Sequence, residues 1–348
     1  MIVLMKKERI AGFDFIRAMS CLLIVFYHTI RLFESIPAWN HFPVKSAFVN
    51  GDWGHISVVA VFFMLSGAAL LHNYPILTFR DLKTFYLKRA KSIFPAFYLV
   101  WAYFYITTAL KVGNFLFMGY PQWFIPTVFG VDGYFLYLHP NYYMVGEWFL
   151  GAIILLYLLY PLLLFLWNKC WWLFSIVMTA VFLLVIRFNP FQIDLSDNLF
   201  VCMFSFWCGF LYLKFRDKLQ KKWFLPVLLF IAAIALFVIP LNTNQVLVMV
   251  FVGILSFPFL DLLGGYLLKV PLVGRFLTHT GTLSYEIFLV HHQLIFSAGA
   301  LMMNYLNENF SAGAQWVFVI LLIPATLFFA KAVQLMTAYF LSWGKKRK

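Results

Sequence analysis

The chain has 348 residues, of which 64% are hydrophobic and only 11% are charged, and its mean hydropathy is +0.87. That balance excludes a soluble globular domain of this size, whose surface needs far more charge. The formal net charge of +13 would suit a nucleic-acid partner, but the basic residues are distributed as a membrane topology requires, so no such partner is expected.

Apolar runs predict spanning helices at residues 13–32, 55–72, 94–111, 146–167, 171–187, 199–213, 223–240, 246–263, 283–303 and 314–342. If the amino terminus lies in the cytoplasm, the inner side collects 20 of the 26 Lys and Arg residues. These are Lys6, Lys7 and Arg9; Arg80, Lys83, Lys88, Arg89 and Lys91; Lys169; Lys214, Arg216, Lys218, Lys221 and Lys222; Lys269 and Arg275; and the tail Lys345, Lys346, Arg347 and Lys348. Arg31, Lys45, Lys111 and Arg187 fall outside, and Arg17 and Lys331 lie within spans. The asymmetry is that of the positive-inside rule. It predicts an all-α polytopic protein of about ten transmembrane helices with both termini cytoplasmic, its basic loops also attracting inner-leaflet lipid. Residues 1–348 read as one integral-membrane domain, with no signal-peptide pattern and no appended soluble domain.

The first span, entered through "RIAGFDFIR", carries Asp14, Arg17 and His28 in an otherwise apolar stretch. Arg17 and His28 are 11 residues apart, about 1100° of helical rotation, so they share one face about 16 Å apart along the axis. Asp14 precedes Arg17 by three residues and can pair with it. Charged and imidazole groups at such depth should face a protein-lined or watery cavity. Two readings of the stripe stand. It anchors the helix and hydrogen-bonds within the bundle, or it carries chemistry, with His28 as a general base near neutral pH.

Further along, the outer loop 112–145 is aromatic, rich in Gly and Pro, and nearly uncharged, while the outer loop 33–54 contains His41, Asp52 and prolines and tryptophans that suit an ordered cover. The longer one is expected to lie in the interface or fold back over the helices. Cys21, Cys170, Cys202 and Cys208 lack metal-ligand or CxxC spacing and are expected to be buried small hydrophobes, so no metal is expected. Glu147 opens the 146–167 span, where the helix dipole also favours an acid. Lys331 is an intramembrane cation with no partner evident in sequence. His41, His55, His72, His139 and His279 fall near predicted interfaces and carry little individual signal.

Five stretches together resemble the membrane-bound acyltransferase-3 family: Arg17-x10-His28; "SVVAVFFMLSGAAL" (57–70) with its FFxLSG element; "FYLKRAKSIFPAFYL" (85–99), similar to a basic turn before the third helix; "GEWFLGAIILLYLLYP" (146–161); and "GTLSYEIFLVHH" (281–292). The resemblance implies an O-acetyltransferase of a bacterial cytoplasmic membrane. It would move acetyl from acetyl-CoA, as co-substrate, to a sugar hydroxyl of a surface polysaccharide or its lipid-linked precursor. It casts His28 as base or transient acyl carrier, Arg17 as donor or oxyanion contact, Asp14 as its orienting acid, and Glu147 as an acceptor-side or catalytic acid. Donor contacts fall to Arg89, Lys88, Lys91, Ser66, Tyr285, His291 and Lys331. The sequence departs from the family pattern where a second arginine is usual three residues after Arg89, since Ser92 stands there and Lys88 or Lys91 has to supply the charge. For Ser66, close helix packing is the simpler reading, and for His291 structural hydrogen bonding. A proton-coupled secondary transporter or glycan exporter is the competing reading. It calls for broken helices in paired repeats, which the sequence does not contain. A membrane scaffold without chemistry would leave the polar stripe unexplained.

Overall fold

The computed structural model describes residues 9–306 and 310–346; Lys6, Lys7, Arg347 and Lys348 lie outside them. Ten helices of twelve residues or more follow one another among the described residues: α1 (Ala11–Ser35), α2 (Val59–Asn73), α3 (Leu82–Val112), α4 (Glu147–Phe188), α5 (Leu199–Lys221), α6 (Phe224–Val238), α7 (Gln245–Leu267), α8 (Pro271–Thr282), α9 (Ser284–Leu306) and α10 (Ala312–Lys346). A two-residue hairpin, β1 (Ala47–Phe48) against β2 (Gly51–Asp52), leads through a π-helical turn, Trp53–Val58, into α2. Among the described residues eight helical stretches are long and apolar enough to cross a membrane.

The difference from ten expected spans has a local cause. The expected spans 146–167 and 171–187 run together in α4, which is interrupted at Cys170 (φ −160°, ψ 76°). The expected span 223–240 is the 15-residue α6. Helix α3 begins twelve residues before the expected 94–111, because Thr78 and Asp81 form a capping box that starts the helical turn early. Lys83, Lys88, Arg89 and Lys91 therefore sit on a helix and not in the turn that the sequence suggested. Helix α8 was not foreseen, being too short and polar to read as a span. Of the cysteines expected to be buried, Cys21 and Cys202 are, while Cys170 and Cys208 are only half-buried.

The chain divides into two compact units. The first contains the described residues up to Arg31, with Pro43–Leu77 and Leu162–Ser284. Its core gathers Phe13, Phe15, Ile16 and Ala18 of α1, Val61, Met64, Leu65 and Ala68 of α2, Tyr212 of α5 and Phe257 of α7. Helices α2 and α5 touch backbone to backbone. A Cβ on Gly67 would strike the Phe206 carbonyl, and one on Gly209 would strike the Met64 carbonyl and the Ala68 nitrogen. Small residues permit this approach, and it is the dispersion contact that membrane helices rely on. In the same unit the buried Asp261 accepts hydrogen bonds from Tyr212 (2.5 Å) and from Arg216 Nε (2.6 Å).

The second unit contains Leu32–Phe42, Thr78–Pro161 and the described residues from Tyr285 onward. Here Phe33, Trp39 and Phe42 meet Phe310, Trp316 and Phe318 edge-on or tilted, and Gln315 donates to the Trp39 carbonyl at 2.7 Å. The 113–146 segment folds back on α3, as its composition suggested. Tyr142 is fully buried, its ring stacked on Phe124 at 3.8 Å, and its carbonyl accepts from the Trp101 indole at 2.8 Å.

The helix contact at Gly209 gives a direct test. Gly209→Leu is expected to destabilise the detergent-solubilised protein by about 1–3 kcal/mol, read as a lower thermal-unfolding midpoint. An unchanged midpoint would refute the close contact.

Candidate active site

In the first unit the start of α1 is organised around one carboxylate. Asp14, 4% exposed, accepts from Arg17 Nη1 at 3.1 Å and from Arg9 Nε at 2.5 Å. The i,i+3 pair with Arg17 is the one its helical spacing implies, whereas Arg9, upstream of the helix, could be read from sequence only as a topological charge. Three turns on, His28 is half-buried on the same helix face. The preceding residue, Tyr27, is locked in place: its hydroxyl donates to Asp52 Oδ2 at 2.5 Å and its ring meets Trp53 edge-on at 5.4 Å. The second Asp52 oxygen caps the π-helical turn at the His55 nitrogen, 2.8 Å away. His55 is no isolated interfacial residue, since its Nε2 lies 2.7 Å from Asp197 Oδ1. Ser66 is half-buried on α2, and the residue beside it, Gly67, supports packing as the role of this element.

In the second unit the centre is Glu147, the first residue of α4. Gly146 and Glu147 both have positive φ, +96° and +43°. For a glutamate this left-handed conformation is strained, and it persists only where the surroundings over-determine it. The side chain is aimed at α9. Glu147 Oε1 lies 3.2 Å from His291 Nε2 and 3.4 Å from His292 Nε2. His291 is fully buried, and its Nδ1 is 2.8 Å from the Phe288 carbonyl. A carbonyl only accepts, so Nδ1 carries a proton there. Nε2 then faces a carboxyl oxygen, and the contact is attractive only when a proton sits between them, on the imidazole or on the acid. The carboxyl and the imidazole are thus placed within reach of a proton at a defined atom. Glu147 Oε1, His291 Nε2 and His292 Nε2 lie within 4.8 Å of one another and are donor atoms of the kind that can bind a metal, which cysteine spacing could not reveal.

Behind Glu147 stands a second acid that sequence reading missed. Asp132 in the 113–146 segment is 1% exposed. It accepts from the Thr127 hydroxyl (3.1 Å) and from the Gly133 nitrogen (3.0 Å). Burial pushes its carboxyl up to about 7. Tyr143, buried between the charges of Asp132 and Glu147, has its phenol held well above the usual range by that burial and those charges, so it keeps its proton. The only sequence signal was an aspartate in a loop otherwise almost free of charge.

The residues expected to meet a donor separate by exposure. Arg89 turns inward over the Tyr157 ring at 5.9 Å, while Lys88 and Lys91 are exposed. Both lysines thus lie on the exposed side of α3, away from the face that Arg89 takes. Ser92, in place of the usual second arginine, is also exposed and bonds back to the Arg89 carbonyl at 2.8 Å. Tyr285 donates to the Ile93 carbonyl at 3.0 Å and interacts electrostatically with Tyr157. Lys331 is partnered, contrary to its appearance in sequence. It donates to Gln334 at 2.8 Å and interacts with the Glu286 carboxylate.

Residues 10–333 match the model of the acyltransferase-3 family, described as an acyltransferase domain. No curated protein and no solved structure matches the chain.

The raised carboxyl of Asp132 makes stability depend on pH. Between the usual aspartate range and about 7, the folded protein holds a proton that the unfolded chain releases. This contribution is therefore complete at low pH and is lost as pH rises through 7. Asp132→Asn removes it. Thermal unfolding at pH 5 and pH 8 is expected to show a smaller pH dependence for the variant, its midpoint gaining on the wild type as pH rises. An equal dependence in both proteins would contradict the neutral acid.

Proposed function

We propose, since the chain belongs to the acyltransferase-3 family, that this membrane acyltransferase moves acetyl from acetyl-CoA to a sugar hydroxyl of an envelope polysaccharide or its lipid-linked precursor. Both termini face the cytoplasm in this reading, the side from which the basic loops draw the anionic donor. The observation that carries it is the Glu147 carboxyl set 3.2 and 3.4 Å from the two imidazoles of α9.

A sugar hydroxyl is a poor nucleophile until a base takes its proton. As the proton leaves, the oxygen attacks the thioester carbonyl, a C–O bond forms, and negative charge develops on the carbonyl oxygen. The C–S bond then breaks, and the departing thiolate recovers a proton. His28 is assigned to the base or to transient carriage of the acyl group. Glu147 with His291 and His292 forms an acid–base group whose strained backbone fixes its aim. Arg17, tethered by Asp14, presents the rest of its guanidinium to the anionic donor or to the developing oxyanion. Arg89, with Tyr285 and Lys331 in the same unit, supports contact with the donor's phosphates, and the exposed Lys88 and Lys91 add long-range attraction. The aromatic 113–146 segment, with Tyr120 exposed, suits stacking on the acceptor sugar.

The purified protein is expected to transfer labelled acetyl from acetyl-CoA to glycan acceptors. Glu147→Gln and His28→Ala are each expected to lower kcat by about 100-fold or more, and Arg17→Ala to raise KM for the donor. A folded Glu147→Gln variant working at the wild-type rate would remove Glu147 from the chemistry. Glycan export without acetylation would overturn the transferase reading itself.

A further inference from the structure

The left-handed backbone at Gly146–Glu147 has to be held by something, and the second unit shows what holds it. Asn141 is fully buried and works in both directions. Its amide donates to the Asp132 carbonyl at 2.9 Å, and its oxygen accepts from the Tyr143 nitrogen at 3.0 Å. The Asp132 carboxyl fixes Thr127 on one side and the Gly133 nitrogen on the other. Gly133 in turn lies flat against the carbonyl of Glu147, in a space that any Cβ would fill. One step further, Gln293 of α9 donates to the Met144 carbonyl at 2.8 Å, two residues beyond His291. Asp132, Asn141 and Gln293 thus clamp residues 141–147 from both ends.

We infer that Asp132 is a positioning residue for Glu147: with Asn141 it closes the 132–143 segment so that Glu147 is delivered in the one backbone conformation that sets its carboxyl between His291 and His292. This rests on the catalytic reading of Glu147. Asp132 touches none of the reacting groups and acts through the segment. The groups facing it are Tyr98 of α3 and Tyr143 of its own segment, with Glu147 of α4 beyond Tyr143. What the segment needs from Asp132 is its two hydrogen bonds, to Thr127 and to the Gly133 nitrogen. Asparagine supplies nearly the same shape, because the Thr127 hydroxyl can accept where it formerly donated.

Variants of the full-length protein in detergent separate this role from a merely structural one. Asp132→Ala is expected to lower kcat by about 10- to 100-fold while KM for acetyl-CoA stays within about twofold, and Asp132→Asn is expected to restore most of kcat. If Asp132→Ala lowers the unfolding midpoint yet keeps kcat, or if Asn fails to rescue, the inference is wrong. Should Asp132→Ala not accumulate, Asn141→Ala releases the same segment and is held to the same kcat and KM criteria. If the wild type transfers no acetyl, it is the proposed function that has failed. The unfolding midpoints of Asp132→Ala, Glu147→Gln and the double variant then decide the positioning role. Non-additive shifts support it and additive shifts refute it.

Discussion

Hydrocarbon offers no hydrogen bonds, so every charged group carried into an apolar helix has to find its counter-charge or its proton inside the protein. The chain has only 13 acidic residues, and several of them organise their surroundings for this reason. Asp14 gathers Arg9 and Arg17, Asp261 gathers Tyr212 and Arg216, and Glu147 gathers two imidazoles. Once a carboxylate is buried, the surrounding helices must bring donors to it, and the cost of leaving it unpaired exceeds what the pair itself contributes. Polar clusters of this kind specify which helix turns face one another, where apolar packing alone would tolerate many registers.

Within each unit this constraint is met by different means. In the first unit, backbone contact at Gly67 and Gly209 brings α2 and α5 together, and Asp261 ties α5 to α7. The stripe on α1 is built on one continuous helix, so the relation between Asp14, Arg17 and His28 follows from helical geometry. In the second unit the polar centre is assembled from a strained residue at a helix start, two consecutive histidines, and a folded-back aromatic segment. That assembly stores strain at Glu147, which the clamp of Asp132, Asn141 and Gln293 offsets.

How much of this was legible in sequence depends on how local each feature is. The Asp14–Arg17 pair lies three residues apart and was readable, as was the fold-back of an uncharged aromatic segment that water would not solvate. Arg9 was not readable as a partner of Asp14, because no periodicity operates before the helix begins. Lys331 looked solitary because Glu286, the acid it interacts with, stands on a different helix. His55 and Asp197 are 142 residues apart, and no spacing rule connects them. The start of α3 was missed because a capping box extends a helix through residues too basic to read as a span.

The amino-acid sequence by itself determined the class of molecule, the approximate helices, the polar face of α1 and the resemblance to a family of membrane acyltransferases. Composition, helical periodicity and ordered motifs are properties of the chain and survive without any fold. Only the tertiary structure decided that His292 joins His291 at Glu147, that Arg89 turns inward while Lys88 and Lys91 do not, and that the segment of Asp132 lies against Glu147. Each of these is a meeting of residues far apart in the chain. Such meetings are selected by which buried charge can be satisfied where, a condition that only the packed helices can express.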